Sequence, residues 1–223
     1  MDPSQPNKLT HNLLQALQDR SGTSSVVRAG GLTANTCSYN ASQELAVINV
    51  YGDNADRPDH TYIGPAWYEG FQNLPQGVKF IYDINYTDNS TEGVTNTVTD
   101  AKRTFDTLGD KLYAFELGNE MERWANTNRS SDWSPEVYVK DYLKYTDLFD
   151  KDIWGDDADK VEPFFQGGVL MGNGGWGGEI NEPWNSVKLL ELGLNRNGQI
   201  KSMSQHDVSQ YTWLLRGFVG EHV

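Results

Sequence analysis

Short apolar runs alternate along this chain with longer stretches in which apolar residues recur every three or four positions. The clearest run is Lys111–Glu120, KLYAFELGNE. Read as a strand, it places Leu112, Ala114, Glu116, Gly118 and Glu120 on one face and Tyr113, Phe115 and Leu117 on the other. The second face suits a layer of covering helices. The first is small and polar and ends in a carboxylate at the strand tip. Leu, Ala, Glu and Lys would also suit a helix. The apolar part, Leu112–Leu117, is too short for one and is closed by Gly109-Asp110 and Gly118-Asn119, so a strand is predicted.

The same reading orders the rest. Thr10 is placed as the cap of a helix running to about Leu17, with Leu9, Leu13, Leu14 and Leu17 on one side and Ser21-Gly22 ending it. Ser25–Arg28 is a short strand and Leu45–Tyr51 a second β-like run. An irregular polar stretch with Pro58 and Pro65 follows, then a brief helix within Pro65–Leu74 that buries Trp67 and Phe71. Val78–Asn85 is a strand and Val94–Leu108 a helix. Ser134-Pro135 opens a long helix with Ser as cap and Pro at the first position. Its stripe Tyr138, Tyr142, Tyr145, Phe149 has helical spacing and is read as core. Pro163–Met171 is a strand, Asn185–Leu192 a helix and Ile200–Val208 a last strand carrying His206. Strands alternating with helices imply an α/β fold with a parallel sheet. Without an internal repeat or a low-complexity linker, residues 1–223 are expected to form one domain.

Composition narrows the partners. The formal charge of −13 argues against nucleic acid and anionic membranes, which are gripped by clustered Lys and Arg. No apolar stretch approaches the ~20 residues of a membrane span, and the N-terminus lacks the features of a signal peptide. Cys37 is the single cysteine, so no disulfide can form within the chain. Four glycosylation triplets, beginning at Asn40, Asn85, Asn89 and Asn128, point to a secreted glycoprotein. The 7 Trp, 11 Tyr and 8 Phe leave aromatic rings available to line a cleft.

For chemistry, Glu120 leads. Glycoside hydrolysis generally uses two carboxyl groups flanking the scissile bond, and a Glu at a strand tip beside Asn119 fits the acid. Glu116 does not complete the pair: four strand residues span roughly 13 Å, against about 5–5.5 Å for retention and 6.5–9.5 Å for inversion. It is instead expected inside the barrel, paired with a neighbour such as Arg28. Trp176, in a Gly/Trp-rich loop, is a candidate for stacking on a sugar ring. That loop, Gly172-Asn173-Gly174-Gly175-Trp176-Gly177, also matches a dinucleotide fingerprint, but Gly178–Pro183 is a poor helix start. No zinc-type His spacing and no nucleophile elbow occur, and neither metal nor cofactor is expected.

AFELGNE resembles the acid/base strand of retaining (β/α)8 glycoside hydrolases. Val27–Ala34, VRAGGLTA, is similar to a segment of the heparanase-like β-glucuronidases, glycoside hydrolase family 79. Lys79–Tyr82, and Ser204-Gln205-His206 before Tyr211, keep that family's order. The resemblance implies a partial TIM (β/α)8 barrel with about strands two to six present. It implies retaining hydrolysis of terminal β-linked glucuronic acid with Glu120 as general acid/base. Asn119, Gly31, Thr33, His206 and Tyr211 would contact a glucuronide substrate. Met121-Glu122 departs from the family's pattern after the acid. The family takes its nucleophile from a seventh strand that is not found, so the chain is expected to be truncated at both ends. The alternative is a non-catalytic carbohydrate-binding or inactive fragment.

Overall fold

The computed structural model describes residues 6–53, 56–171 and 184–206. Helix α1, Lys8–Ser21, leads into strand β1, Val26–Ala29. Three short strands follow: β2 (Cys37–Tyr39), β3 (Val47–Val50) and β4 (His60–Ile63). Next come α2 (Pro65–Glu69), β5 (Lys79–Ile84), α3 (Thr91–Leu108), β6 (Leu112–Leu117) and α4 (Pro135–Phe149). The described chain closes with β7 (Phe165–Met171), α5 (Ser186–Glu191) and β8 (Ile200–His206).

Strands β1, β5, β6, β7 and β8 pair in that order, all parallel, in a curled sheet that forms a half-barrel. The expected partial barrel is therefore present, with the five strands consecutive around it. Its outer face packs on α3 and α4 through aromatic rings. Phe115 meets Phe149 at 5.4 Å and Phe164 at 5.7 Å between centroids, edge to face. The predicted stripe Tyr138, Tyr142, Tyr145, Phe149 is buried throughout. Ser134 caps α4 by accepting from the Val137 N–H.

Two expectations are corrected, the cap of α1 and the irregular stretch before Pro65. The cap of α1 is Asn7, whose side chain accepts from the Thr10 N–H; Thr10 sits inside the first turn, where it serves no cap. The β-like run Leu45–Tyr51 lies outside the main sheet. Its β3 pairs antiparallel with β4, which pairs parallel with β2, in a separate three-stranded sheet. The polar stretch before Pro65 thus contains a strand. Its alternation places Thr61 and Ile63 inward and Tyr62 outward, and Thr61 donates to Asn49 across the pair at 2.9 Å. The four α1 leucines expected on one side differ in burial: Leu14 packs on the core, but Leu9, Leu13 and Leu17 are 69%, 57% and 58% exposed.

Candidate active site

Every strand of the half-barrel sends a polar side chain into one connected network. Arg28 on β1 donates from Nε to Glu116 Oε1 on β6 at 2.6 Å and from a terminal nitrogen to Asp83 Oδ2 on β5 at 3.4 Å. The other Glu116 oxygen accepts from Gln166 on β7, whose own oxygen accepts from Ser202 on β8 at 2.9 Å. Glu116 is fully buried with both oxygens engaged, as its spacing from Glu120 implied. The Asp83 carboxyl is held well above its ordinary range, first by burial and then by the Glu116 charge, with Arg28 opposing. Burial works against the Arg28 guanidinium charge, but the bond and charge of Glu116 and the charge of Asp83 outweigh it, so its pKa rises.

Asn119 and Glu120 sit where β6 ends. Gly118 turns the chain with φ 75°; a Cβ there would lie 2.6 Å from the Trp124 ring and 2.8 Å from Tyr86. The Asn119 side-chain oxygen accepts from Arg28 at 2.9 Å. Its backbone is clasped by Asn35, which donates to the carbonyl at 2.9 Å and accepts from the N–H at 3.1 Å. Trp124 Nε1 donates to the same carbonyl. With its oxygen fixed this way, the amide must present its NH2 as the remaining donor.

Glu120 itself adopts a left-handed conformation, φ 53° and ψ 51°. Its N–H donates at 2.9 Å to the carbonyl of Val169, another left-handed residue at φ 42°. Each such conformation costs about 1–3 kcal/mol for a residue with a Cβ. The strain is concentrated at the tips of β6 and β7, where the register of β7 on β8 shifts between Gly167 and Leu170. Bulges of this kind re-aim side chains next to functional sites. Here the turn brings Glu120 Oε1 to 3.1 Å from His206 Nδ1 at the end of β8. The two side chains are 13% and 24% exposed, and Glu120 Oε2 has no partner among the described residues.

The following loop is anchored by Arg129, which stands over the rings of Trp133 at 4.8 Å and Tyr86 at 5.3 Å and pairs with Asp141 at 2.9 Å. Within it, Glu122 Oε1 accepts from the Met171 N–H, and burial raises its pKa.

Of the predicted site residues, Asn119, Glu120 and His206 converge. Gly31, at φ 116°, donates its N–H to Asp83 Oδ2 at 3.2 Å and so joins the same network. Thr33 stands apart, lining a cavity of about 310 Å³ with Cys37, Trp67, Tyr82 and Asp100. Trp176 and Tyr211 and the fingerprint Gly172–Gly177 lie outside the described residues. Asn35 and Arg129 were not singled out from the sequence. Among the described residues no group of three or more His, Cys, Asp or Glu side chains is placed to hold a metal ion. Nor is any described helix long and apolar enough to cross a membrane.

The parallel half-barrel thus gathers a carboxylate, an amide and a histidine at its strand tips, and comparison with known proteins can be set beside that geometry. The chain is 26% identical over 211 residues to a β-glucuronidase of Aspergillus niger, covering 92% of this chain and 38% of that protein. It is 26% identical over 213 residues to a β-glucuronidase of Neurospora crassa, covering 92% and 37%. Its fold matches a 4-O-α-L-rhamnosyl-β-D-glucuronidase from Fusarium oxysporum 12S, solved as a Rha-GlcA complex. That match has a TM-score of 0.69 at 20% identity and covers 90% of this chain and 41% of the other. No protein-family model matches the chain. The resemblance to β-glucuronidase-like glycosidases is thus borne out, and glycoside hydrolase family 79 is consistent with it. The chain spans about two-fifths of the length of the relatives it matches.

Proposed function

We propose that this chain carries the acid/base half of a glycoside hydrolase that cleaves terminal β-linked glucuronic acid with retention. The observation that carries the reading is the Glu120 carboxyl, aimed by a strained turn and held at one oxygen by His206, beside an Asn119 amide whose donor side is fixed by Arg28. In this mechanism Glu120 protonates the leaving oxygen and then, as the carboxylate, activates the water that releases the sugar. The Asn119 NH2 donates to a sugar hydroxyl, where a hydrogen bond strengthens as positive charge develops on the ring. Gly31, Thr33 and His206 belong to the same reading as substrate contacts, as do Trp176 and Tyr211. Residues 1–223 are read as one catalytic-type domain, and secretion accords with the acidic surface and the glycosylation triplets.

The nucleophile is the missing partner. Glu116 is excluded because Arg28 and Gln166 occupy both of its oxygens in the interior. The second reading is that the polypeptide binds a glucuronide without hydrolysing it.

One substitution tests the first reading. In the full protein, Glu120→Gln keeps the shape of the turn and removes the proton donor. Turnover of an alkyl β-glucuronide, whose leaving group needs protonation, should fall by about 10²–10⁴, with KM little changed. Unchanged turnover would remove Glu120 from the mechanism. Glucuronide binding by calorimetry with no hydrolysis by the wild-type protein would instead support the binding reading.

A further inference from the structure

The triplets at Asn40, Asn85, Asn89 and Asn128 play no part in the hydrolytic reading, and the structure separates them. An N-linked glycan is attached through the side-chain amide nitrogen. That nitrogen bonds to the anomeric carbon of a lipid-pyrophosphate-linked oligosaccharide. The bond from that carbon to the pyrophosphate breaks, the lipid pyrophosphate departs, and the amide proton passes to a base on the transferase. In the folded product the nitrogen must face open space wide enough for a sugar.

Asn40 and Asn85 make an instructive pair because each accepts a bond from the hydroxyl two residues on. Asn40 Oδ1 accepts from Ser42 Oγ at 2.8 Å and from the Ser42 N–H at 3.1 Å. Asn85 Oδ1 accepts from Thr87 Oγ1 at 2.8 Å and from the Thr87 N–H at 2.9 Å. They differ at the nitrogen. Asn40 is exposed at the end of β2, and its Nδ2 has no partner among the described residues. It opens on a groove of about 410 Å³ that also contains His60 and Tyr62. Those two rings stand 4.4 Å apart, and Tyr62 is 39% exposed. The Asn85 Nδ2 instead donates to the Cys37 carbonyl at 2.7 Å, tying the end of β5 to β2, while its own carbonyl accepts from Thr97 on α3 at 2.8 Å. Asn85 also borders that groove, but a sugar on its nitrogen would leave a single N–H, which would have to keep the Cys37 bond that ties β5 to β2. Asn89 is exposed just before the cap of α3, and Asn128 is exposed with only a 3.4 Å contact from Thr127 at its oxygen.

The structure assigns Asn40, Asn89 and Asn128 as N-glycan attachment sites and excludes Asn85, with the glycan on Asn40 lying along the groove over His60 and Tyr62. This inference does not depend on the hydrolytic reading.

The test is to secrete the wild-type chain from a eukaryotic host and release its glycans with a peptide N-glycosidase in ¹⁸O-water. Each occupied Asn becomes a labelled Asp, located by peptide fragmentation. Label is expected at Asn40, Asn89 and Asn128 and not at Asn85. Label at Asn85 in secreted protein, or its absence at Asn40, overturns the assignment. Mapping the wild-type chain keeps the result independent of whether Asn85→Gln folds. Nitration of Tyr62 reports on the groove: it should rise several-fold after deglycosylation, and equal nitration before and after would overturn that placement.

Discussion

The two surfaces of the five-stranded sheet hold their buried acids by different means. Inside the half-barrel, Glu116 and Asp83 share the Arg28 cation, and the chain of bonds continues through Gln166 to Ser202. Outside, between the sheet and its helices, the packing is aromatic and the buried acid is Asp100 on α3. Among the described residues its side-chain donors are hydroxyls, Tyr68 at 2.7 Å and Thr104 at 3.3 Å, with Tyr82 a third. Burial raises its pKa from 3.8 to about 6 despite those bonds. The Arg28 cation therefore opposes the rise that burial and the Glu116 charge impose on Asp83, whereas no described cation bonds to Asp100 on the outer face. The proposed chemistry at the strand tips would draw on the first arrangement, because Arg28 is also the group that bonds Asn119.

The most damaging way to break this contrast is to remove the inner cation. Arg28→Met leaves Glu116 buried without its partner, a change that typically costs about 3–5 kcal/mol. It should also weaken glucuronide turnover by freeing the Asn119 amide to rotate. Urea unfolding measures the first effect. Adding Glu116→Leu to the same protein should recover most of the stability but none of the turnover. If Arg28→Met lowers stability by no more than a surface change would, compensation by Arg28 does not hold the inner face.

The outer acid offers a test by pH. Between about pH 4 and pH 6 the folded chain keeps the Asp100 proton that the unfolded chain has released. Stability contributed by this group is therefore complete below about pH 4 and falls as pH rises to about 6, by roughly 3 kcal/mol. Asp100→Asn should flatten that part of the curve and leave the variant more stable than wild type at pH 7. Thermal melts across the range would show it, and parallel curves would mean that Asp100 does not titrate there.

How far these arrangements could be read from the sequence depended on the range of the contacts. Strand β6 was legible to the residue because Gly and Asp punctuate a short apolar run, and its alternation alone placed Glu116 inside and Phe115 outside. The Arg28–Glu116 pair followed from spacing and charge. The clasp of Asn35 on Asn119 joins residues 84 apart and leaves no local pattern. Arg129 among three rings carries no periodic signal either. The small sheet was missed because β2 and β4 are short, and Pro58 and Pro65 made the segment look irregular. The cap of α1 was misplaced for a simpler reason: Asn7 and Thr10 are both good cap residues, and only the geometry of the first turn chooses between them.

Helix α1 also marks the limit of periodicity as a guide to burial, and it gives the smallest predicted effect. Helices α4 and α1 both carry apolar positions at helical spacing. Yet α4 buries Tyr138, Tyr142, Tyr145 and Phe149, while no residue of α1 is fully buried. The stripe records an apolar face; a packed neighbour is needed to remove it from water, and no described element covers Leu9, Leu13 or Leu17. Leu13→Gln should therefore alter unfolding free energy by no more than about 0.5 kcal/mol, since Leu and Gln have similar helix propensities. The same substitution at the half-buried Leu14, which touches the core, should cost more. A loss of 2 kcal/mol or more at Leu13, as expected for a buried leucine, would show that in solution this face is covered as α4 is.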